Sequence, residues 1–266
     1  MNAISLQSIV FNGSAVVGPA LGGITIGLIG YAGNFFLNSA SYLAVLLALF
    51  ILHIPKEAAA LSTEKRGPML AQIRASLSTV GRDAALPWIL SGYGALLFFG
   101  PSTSLILPFF ALKILRLNAF QVGLLFSASG LGTILGALTI ASLGDFKHKG
   151  WLLLASFLLW ATALLMFAFS HFLWLSMLAL LLFGIAQNGV GATTITLMQT
   201  RVPPQMRGRV MSLNTLFIMG VRPLGDFPAG ALIGFIGGPL TVVISAAIVG
   251  GYTLFLLVAR PVIREL

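Results

Sequence analysis

An all-α membrane protein of about eight transmembrane helices is the fold class this sequence predicts, on three observations. Of its 266 residues, 58% are hydrophobic and 8% are charged, against roughly 45–50% apolar and about 25% charged in an ordinary soluble domain. The apolar residues form continuous runs of about 18 or more, long enough to cross a hydrocarbon core of about 30 Å. The charges gather in alternate connectors, which is how Lys and Arg mark cytoplasmic loops. The runs are unbroken rather than alternating and too long for barrel strands, so they read as helices.

In order, the expected spans are 9–31, 34–54, 88–111, 119–142, 151–169, 172–198, 209–235 and 239–259. The first two are joined by a short turn at Ala32–Gly33. The connector that follows, from Pro55 to Pro87, is the one long connector and carries Lys56, Lys65, Arg66, Arg74 and Arg82. Its first part is polar and linker-like. From Met69 onward, Met69, Ile73, Leu77 and Val80 recur at helical spacing, which predicts a short amphipathic helix lying along the inner membrane face. The chain therefore divides into residues 1–54, a cytoplasmic linker at 55–87 and a six-span unit at 88–266. Within that unit, Lys147 and Lys149 follow the fourth span, Arg201, Arg207 and Arg209 the sixth, and Arg260 and Arg264 the last. The intervening turns at Ser170–His171 and Gly237–Gly238 are uncharged; Lys113 and Arg116, after the third span, are the exception. By the positive-inside rule both termini face the cytoplasm.

Composition closes several function classes. With no cysteine, disulfides, thiol catalysis and thiolate metal sites are excluded. His53, His148 and His171 fall near span ends without a carboxylate cluster, so no metal site and no cofactor is expected. The net charge of +9 sits beside apolar spans, where anionic lipid headgroups rather than nucleic acid are its counter-charge. The first residues, Met1 to Ser8, lack a basic segment and a cleavage site, so the first run reads as a spanning helix and not as a signal peptide.

Glycine is abundant, 30 residues, and lies largely within the spans, where small residues let helices approach closely. In the first span Gly18-Pro19-Ala20-Leu21-Gly22-Gly23 combines a proline that removes a backbone donor with glycines that flatten one face. The fourth span carries Gly123, Gly130, Gly132 and Gly136 and ends in Gly144-Asp145-Phe146-Lys147-His148-Lys149. A plain positive-inside turn accounts for those lysines but not for the Gly-Asp before them. The stretch from Gln199 to Leu213 holds Pro203-Pro204, which should stop the preceding helix, and Arg207-Gly208-Arg209, whose guanidinium groups suit the headgroup interface.

These segments resemble the major facilitator superfamily, specifically its drug and siderophore exporter branch. Gly18, Pro19, Gly22 and Gly23 are similar to the glycine–proline signature of the antiporters' fifth helix. Gly144, Asp145, Lys147 and Lys149 resemble the loop motif between helices eight and nine, with Phe146 where an arginine is usual. Arg207, Gly208 and Arg209 are similar to the loop between helices ten and eleven, and Ile73 to Leu90 resembles the approach to helix seven. The resemblance implies that the spans correspond to family helices five to twelve, with no counterpart of helices one to four, as in a truncated transporter with little autonomous transport. It implies export of a small amphipathic compound across a bacterial inner membrane, in exchange for protons, by alternating access about a midplane site.

The ionisable residues expected well inside a span are Arg222 and Asp226. Four residues apart, they share a helical face and could pair, although Pro223 and Gly225 make that helix irregular. A charge at bilayer depth marks a pathway, a relay or a partner; a structural pair near the outer interface is the other reading. Gln187 and Asn188, flanked by Gly184, Gly189 and Gly191, are the foremost uncharged candidates for a cavity wall, with interhelical hydrogen bonding as the alternative for them and for Thr193, Thr194, Thr196, Asn12 and Asn38. Phe98, Phe99, Phe109 and Phe110 could line a lipophilic path or simply pack. Besides the exporter, two readings remain open: a nonfunctional or regulatory membrane remnant, and a membrane-embedded lipid-modifying enzyme, which the scarcity of acids disfavours.

Overall fold

The computed structural model describes residues 2–51, 69–144 and 146–266. Among them, seven helical runs are long and apolar enough to cross a membrane: Val17–Ile51, Leu86–Ile114, Ala119–Leu143, Lys149–Ala168, Leu173–Arg201, Pro204–Ile236 and Gly238–Ala259. The chain is an all-α membrane protein. His53, Lys56, Lys65, Arg66 and Asp145 lie outside the described residues, as do the side chains of Asn12, Met69 and Ile73.

The two N-terminal spans form one helical run, α1 (Asn2–Ile51), broken at Gly30, where φ is 71° and ψ 177°. A side chain would strain that backbone, so the break falls on glycine. The turn is thus two residues before the expected Ala32–Gly33. The fold there is sharp: the Thr25 hydroxyl reaches Asn34 Oδ1 at 2.6 Å, whereas nine residues of straight helix rise about 13.5 Å. The arm after Gly30 is almost wholly exposed, from Tyr31 to Ile51.

The helix α2 (Met69–Gly81) follows. Ser76 and Val80, one turn apart, are buried against the bundle, while Leu77 faces outward. Next, α3 (Leu86–Phe99) stops at Gly100-Pro101-Ser102 and resumes as α4 (Thr103–Phe109), which widens into a π turn at Phe110–Ile114. The expected third span is therefore two half-helices. α5 (Ala119–Leu143) opens on a reciprocal capping box between Asn118 and Gln121, which satisfies two otherwise free backbone N–H groups.

The remaining elements are α6 (Lys149–Ala168), α7 (Leu173–Arg201), α8 (Pro204–Leu216), a π turn at Phe217–Val221, α9 (Arg222–Ile236), α10 (Gly238–Ala259) and the short α11 (Pro261–Arg264). The π turn ends two residues before Pro223 and contains Met219, the i−4 position whose carbonyl a proline cannot engage. Gly237, at φ 85°, makes the expected turn between α9 and α10.

The core sits among α3, α6 and α7, with Ile89, Trp160, Leu164 and Phe183 fully enclosed. The tightest packing is α5 on α7. Gly132 lies against the Leu181 carbonyl, Gly184 against the Ser129 carbonyl, and a Cβ on Gly136 would come within 2.8 Å of the Ile185 carbonyl. Without a solvophobic force between helices in lipid, such small-residue seams supply close van der Waals contact.

Candidate functional site: a mid-helix junction of α3, α4 and α9

The break Gly100-Pro101-Ser102 falls halfway along the 29-residue run Leu86–Ile114. A helix that restarts there exposes N–H groups with no intrahelical partner, and in a bilayer water cannot satisfy them. Asp226 does so from the neighbouring helix. Its Oδ1 accepts a hydrogen bond from the Ser102 N–H at 2.8 Å. Gly225 makes the approach possible: a Cβ there would collide with the Phe98 carbonyl. Thus Phe98, Ser102, Gly225 and Asp226 form one backbone-to-backbone junction.

Arg222 and Asp226 do not pair with each other among the described contacts. Arg222 Nε is buried without a hydrogen-bond partner, while Asp226 has turned to Ser102. The π turn between α8 and α9 sets this arrangement. It carries Phe217, which stacks on Tyr93 of α3 with centroids 6.3 Å apart and planes 8° from parallel. The two charges, expected to share a helical face, stand one turn apart on α9 but are not in contact.

Beside the junction, α3, the π turn at Phe217–Val221 and α10 enclose an open cavity of about 460 Å³ lined by Ser91, Phe98, Phe99, Val221, Ile248 and Tyr252. Phe98 and Phe99 meet edge to face at 5.0 Å, and the hydroxyls of Ser91 and Tyr252 are 2.7 Å apart. An apolar wall with one hydroxyl pair suits the apolar part of an amphipathic molecule. Phe109 and Phe110 do not share it: they pack together, and Phe110 is buried against Phe167 at 4.6 Å. A second apolar cavity of about 350 Å³ lies between α5 and α7, lined by Leu124, Leu131, Trp174 and Leu178 among others.

Gln187 and Asn188 line neither cavity. Both are half-buried, and Asn188 packs on Gly136, where a Cβ would meet its own at 3.1 Å. Its Oδ1 is buried and unpartnered, as are the hydroxyls of Thr193 and Thr194; Thr196 instead donates to the Ala192 carbonyl at 2.9 Å. These groups are polar atoms inside the α7 packing.

The glycine–proline motif makes a helix crossing. Pro19 meets Gly123 of α5 through its carbonyl, and a Cβ on Gly23 would come within 2.7 Å of the Ala119 carbonyl; Gly18 and Gly22 have nothing within 4 Å. In the loop after α5, Gly144 adopts φ 57°, a backbone suited to glycine, and Lys147 is exposed while Lys149 is half-buried. Arg207, Gly208 and Arg209 are exposed at the start of α8.

At that same end is an ion pair that sequence reading overlooked. Arg201 Nε lies 3.1 and 3.0 Å from the two Asp83 oxygens, and Asp83 Oδ1 also accepts from the Ala85 and Leu86 N–H groups, each at 2.8 Å. Burial pushes the Asp83 carboxyl up, but the hydrogen bonds from Arg201, Leu86 and Ala85 and the Arg201 charge outweigh it, so the group sits below its ordinary value. The signal was available: an acid three residues before an apolar run whose first turn holds Pro87 has capping spacing. Close by, the Ser76 hydroxyl donates to the Arg209 carbonyl at 3.0 Å, and the Arg260 guanidinium lies 3.7 Å over the Trp88 ring.

Among the described residues, no cluster of three His, Asp or Glu is assembled that could hold a metal.

Comparison with known proteins shows the family. The family model described as transmembrane secretion effector, of the major facilitator class, matches residues 1–265. The enterobactin exporter EntS of Citrobacter koseri is 29% identical over 252 residues, covering 94% of this chain and 58% of that protein. Those of Salmonella typhimurium and Escherichia coli O1:K1 are 28% identical over 258 residues and 29% over 252, with the same coverage of each chain. The chain thus spans 58% of the length of these relatives. A match over nearly every residue, on a bundle of long apolar helices, means that this chain belongs to the transmembrane secretion effector family of the major facilitator superfamily.

Proposed function

We propose that this chain serves proton-coupled efflux of a small amphipathic compound, of the siderophore or drug type, from the cytoplasm. Residues 88–266 act as one six-helix half of an alternating-access carrier, residues 1–54 belong to the opposing half, and 55–87 join them at the cytoplasmic face. Both termini lie in the cytoplasm and the membrane is a bacterial inner membrane, in keeping with the alternation of basic connectors. No nucleic acid and no chemical catalysis enter this reading.

The observation that carries it is the junction of a carboxylate with a broken helix, midway along an apolar run and beside an aromatic-walled cavity. An acid at that position costs about 2.5–3.5 kcal/mol to insert at a helix centre, which favours a working role over a structural ornament. Asp226 and Arg222 are the proposed coupling pair, and Phe98 and Phe99 the proposed contact for the apolar part of the substrate. The crossing of Pro19 and Gly23 on α5 seals the two halves against leak, and Gly144, Lys147, Lys149, Arg207 and Arg209 brace the cytoplasmic ends. Gln187 and Asn188 act in helix packing.

Reconstitution in liposomes with an imposed pH gradient tests the reading, with enterobactin as the probe because it names the relatives' cargo. Residues 1–266 by themselves are expected to carry little flux; supplied with counterparts of family helices one to four, they should give gradient-dependent flux that collapses on adding a protonophore. Flux indifferent to the gradient in that assembly would remove proton coupling, an assembly that leaves the probe untouched under every gradient would remove export, and robust flux from residues 1–266 alone would overturn the need for further helices.

A further inference from the structure

The Asp226–Ser102 hydrogen bond is an unusual use of a membrane acid, since it holds backbone and not another charge. We infer that Asp226 is a positioning residue whose ionisation clasps α4 to α9, and that its protonation releases the outer half-helix at the Gly100-Pro101-Ser102 break. The role of this clasp in transport rests on the exporter reading above; the clasp itself does not.

The physical argument begins with the donor. Pro101 has no N–H, so Ser102 carries the first free donor of the restarted helix, and its own carbonyl already accepts from Leu105 and Ile106 at 3.0 and 3.1 Å. An ionised carboxylate accepts from an N–H in a charge-assisted bond, roughly twice as strong as a neutral one. Protonation removes that charge and turns one oxygen into a donor in need of its own acceptor. The bond falls where the run is broken, at the three residues Gly100-Pro101-Ser102 that join α3 to α4. Gly225 keeps the two backbones in contact at Phe98, so the inner half stays fixed while the outer half is freed.

Few other titratable or charged groups face this point. α9 carries Arg222 one turn away. Of the elements packed on α9, α3 contributes Tyr93 and α10 contributes Tyr252; α4 has no titratable residue, and its π turn carries Lys113 at the far end. A tyrosine side chain ordinarily titrates near pH 10, so Asp226→Asn decides whether a transition seen on acidification involves this carboxylate.

The chain has no cysteine, so paired spin labels can be placed without removing any. Labels at Ser104→Cys on α4 and Phe227→Cys on α9, both exposed, report the separation by pulsed electron resonance from about pH 4 to about pH 9. The expected result is a short separation at high pH that gives way to a longer one on acidification, the released-to-clasped ratio rising by up to about tenfold per pH unit. Asp226→Asn should abolish the pH dependence and Asp226→Glu should restore it. Ser102→Pro gives an independent arm, because Ser102 already has φ −66°, the angle proline imposes; it deletes the donor, leaves the acid, and should also abolish the pH dependence. A wild-type separation that ignores pH, or a pH response that survives both substitutions, overturns the clasp. Since no substrate is involved, an assembly with counterparts of family helices one to four that shows no proton-driven flux while the pH response is intact would refute the exporter reading alone.

Discussion

Along the α5–α7 seam, Gly132, Gly136 and Gly184 let two unbroken helices touch backbone to backbone, whereas at the α3–α9 junction Gly225 brings two interrupted helices together. The seam is helical on both sides, and a small-residue stripe is all it needs. The junction adds a π turn, a proline break, a carboxylate that caps a foreign N–H and a guanidinium nitrogen with no partner. Close approach by glycine is common to both; what differs is whether the backbone hydrogen bonds close within each helix. Where they do, the contact is a rigid strut. Where they do not, the contact depends on one side chain and can be switched.

The largest expected effect lies in the seam. Gly132→Ala places a methyl against the Leu181 carbonyl, with backbone on both sides and nothing flexible to yield; overpacking of this kind costs about 3 kcal/mol. Monodispersity and thermal stability in detergent should fall well below the wild type; a stable Gly132→Ala would mean that the seam gives as the junction does. Gly225→Ala comes next. It clashes with the Phe98 carbonyl but at a junction already broken, so about 1–2 kcal/mol is expected, together with loss of the pH response described above. If instead it is the costlier of the two, the junction is the stiffer region and the contrast is reversed.

Asp83 tests the N-terminal end of the same helix, α3. Its carboxyl lies below the ordinary value, 3.8, so the stability it contributes is fully present above that value and is lost as pH falls through the lower folded value. Asp83→Asn should lower the midpoint of thermal unfolding at neutral pH, and the gap to wild type should close on strong acidification. The smallest effect is expected at Gly22→Ala, which meets nothing within 4 Å: a change within about 0.5 kcal/mol. A large loss there would mean that another helix covers that face of α1.

Much of this was legible from residues alone. The runs from 119–142 and 239–259 appear as Ala119–Leu143 and Gly238–Ala259, because continuous apolarity over a bilayer's thickness leaves helix as the available answer. The amphipathic segment after Met69 appears as α2, although Ser76 joins Val80 in facing the bundle while Leu77 points away. The breaks were harder. Gly30 and the Ala32–Gly33 pair look alike as turn signals, and only the backbone, at φ 71°, chooses between them. Gly100-Pro101 sat unnoticed inside an apolar run, since hydropathy does not register where a helix stops and restarts.

The candidate site divides in the same way. Arg222 and Asp226 stand out in any reading, because so few charges fall within the spans. Their spacing of four suggested a mutual pair, but the i, i+4 rule assumes an isolated helix. A π turn beside Arg222 and a free N–H across the junction offered Asp226 a different partner. Asp83 escaped notice for the converse reason: its partner is Arg201, far along the chain, and no local spacing encodes that contact.

The sequence by itself determined that the chain is a helical membrane protein, where its spans lie, and which rare charges fall inside them. All of these follow from the cost of placing polar groups in lipid, which is paid residue by residue. Only the tertiary structure decided that Asp226 serves Ser102 rather than Arg222, that Asp83 serves Arg201, and which glycines bear contact. Those choices depend on which unsatisfied backbone group a neighbouring helix brings within about 3 Å, a distance set by packing between elements and not by any spacing along the chain.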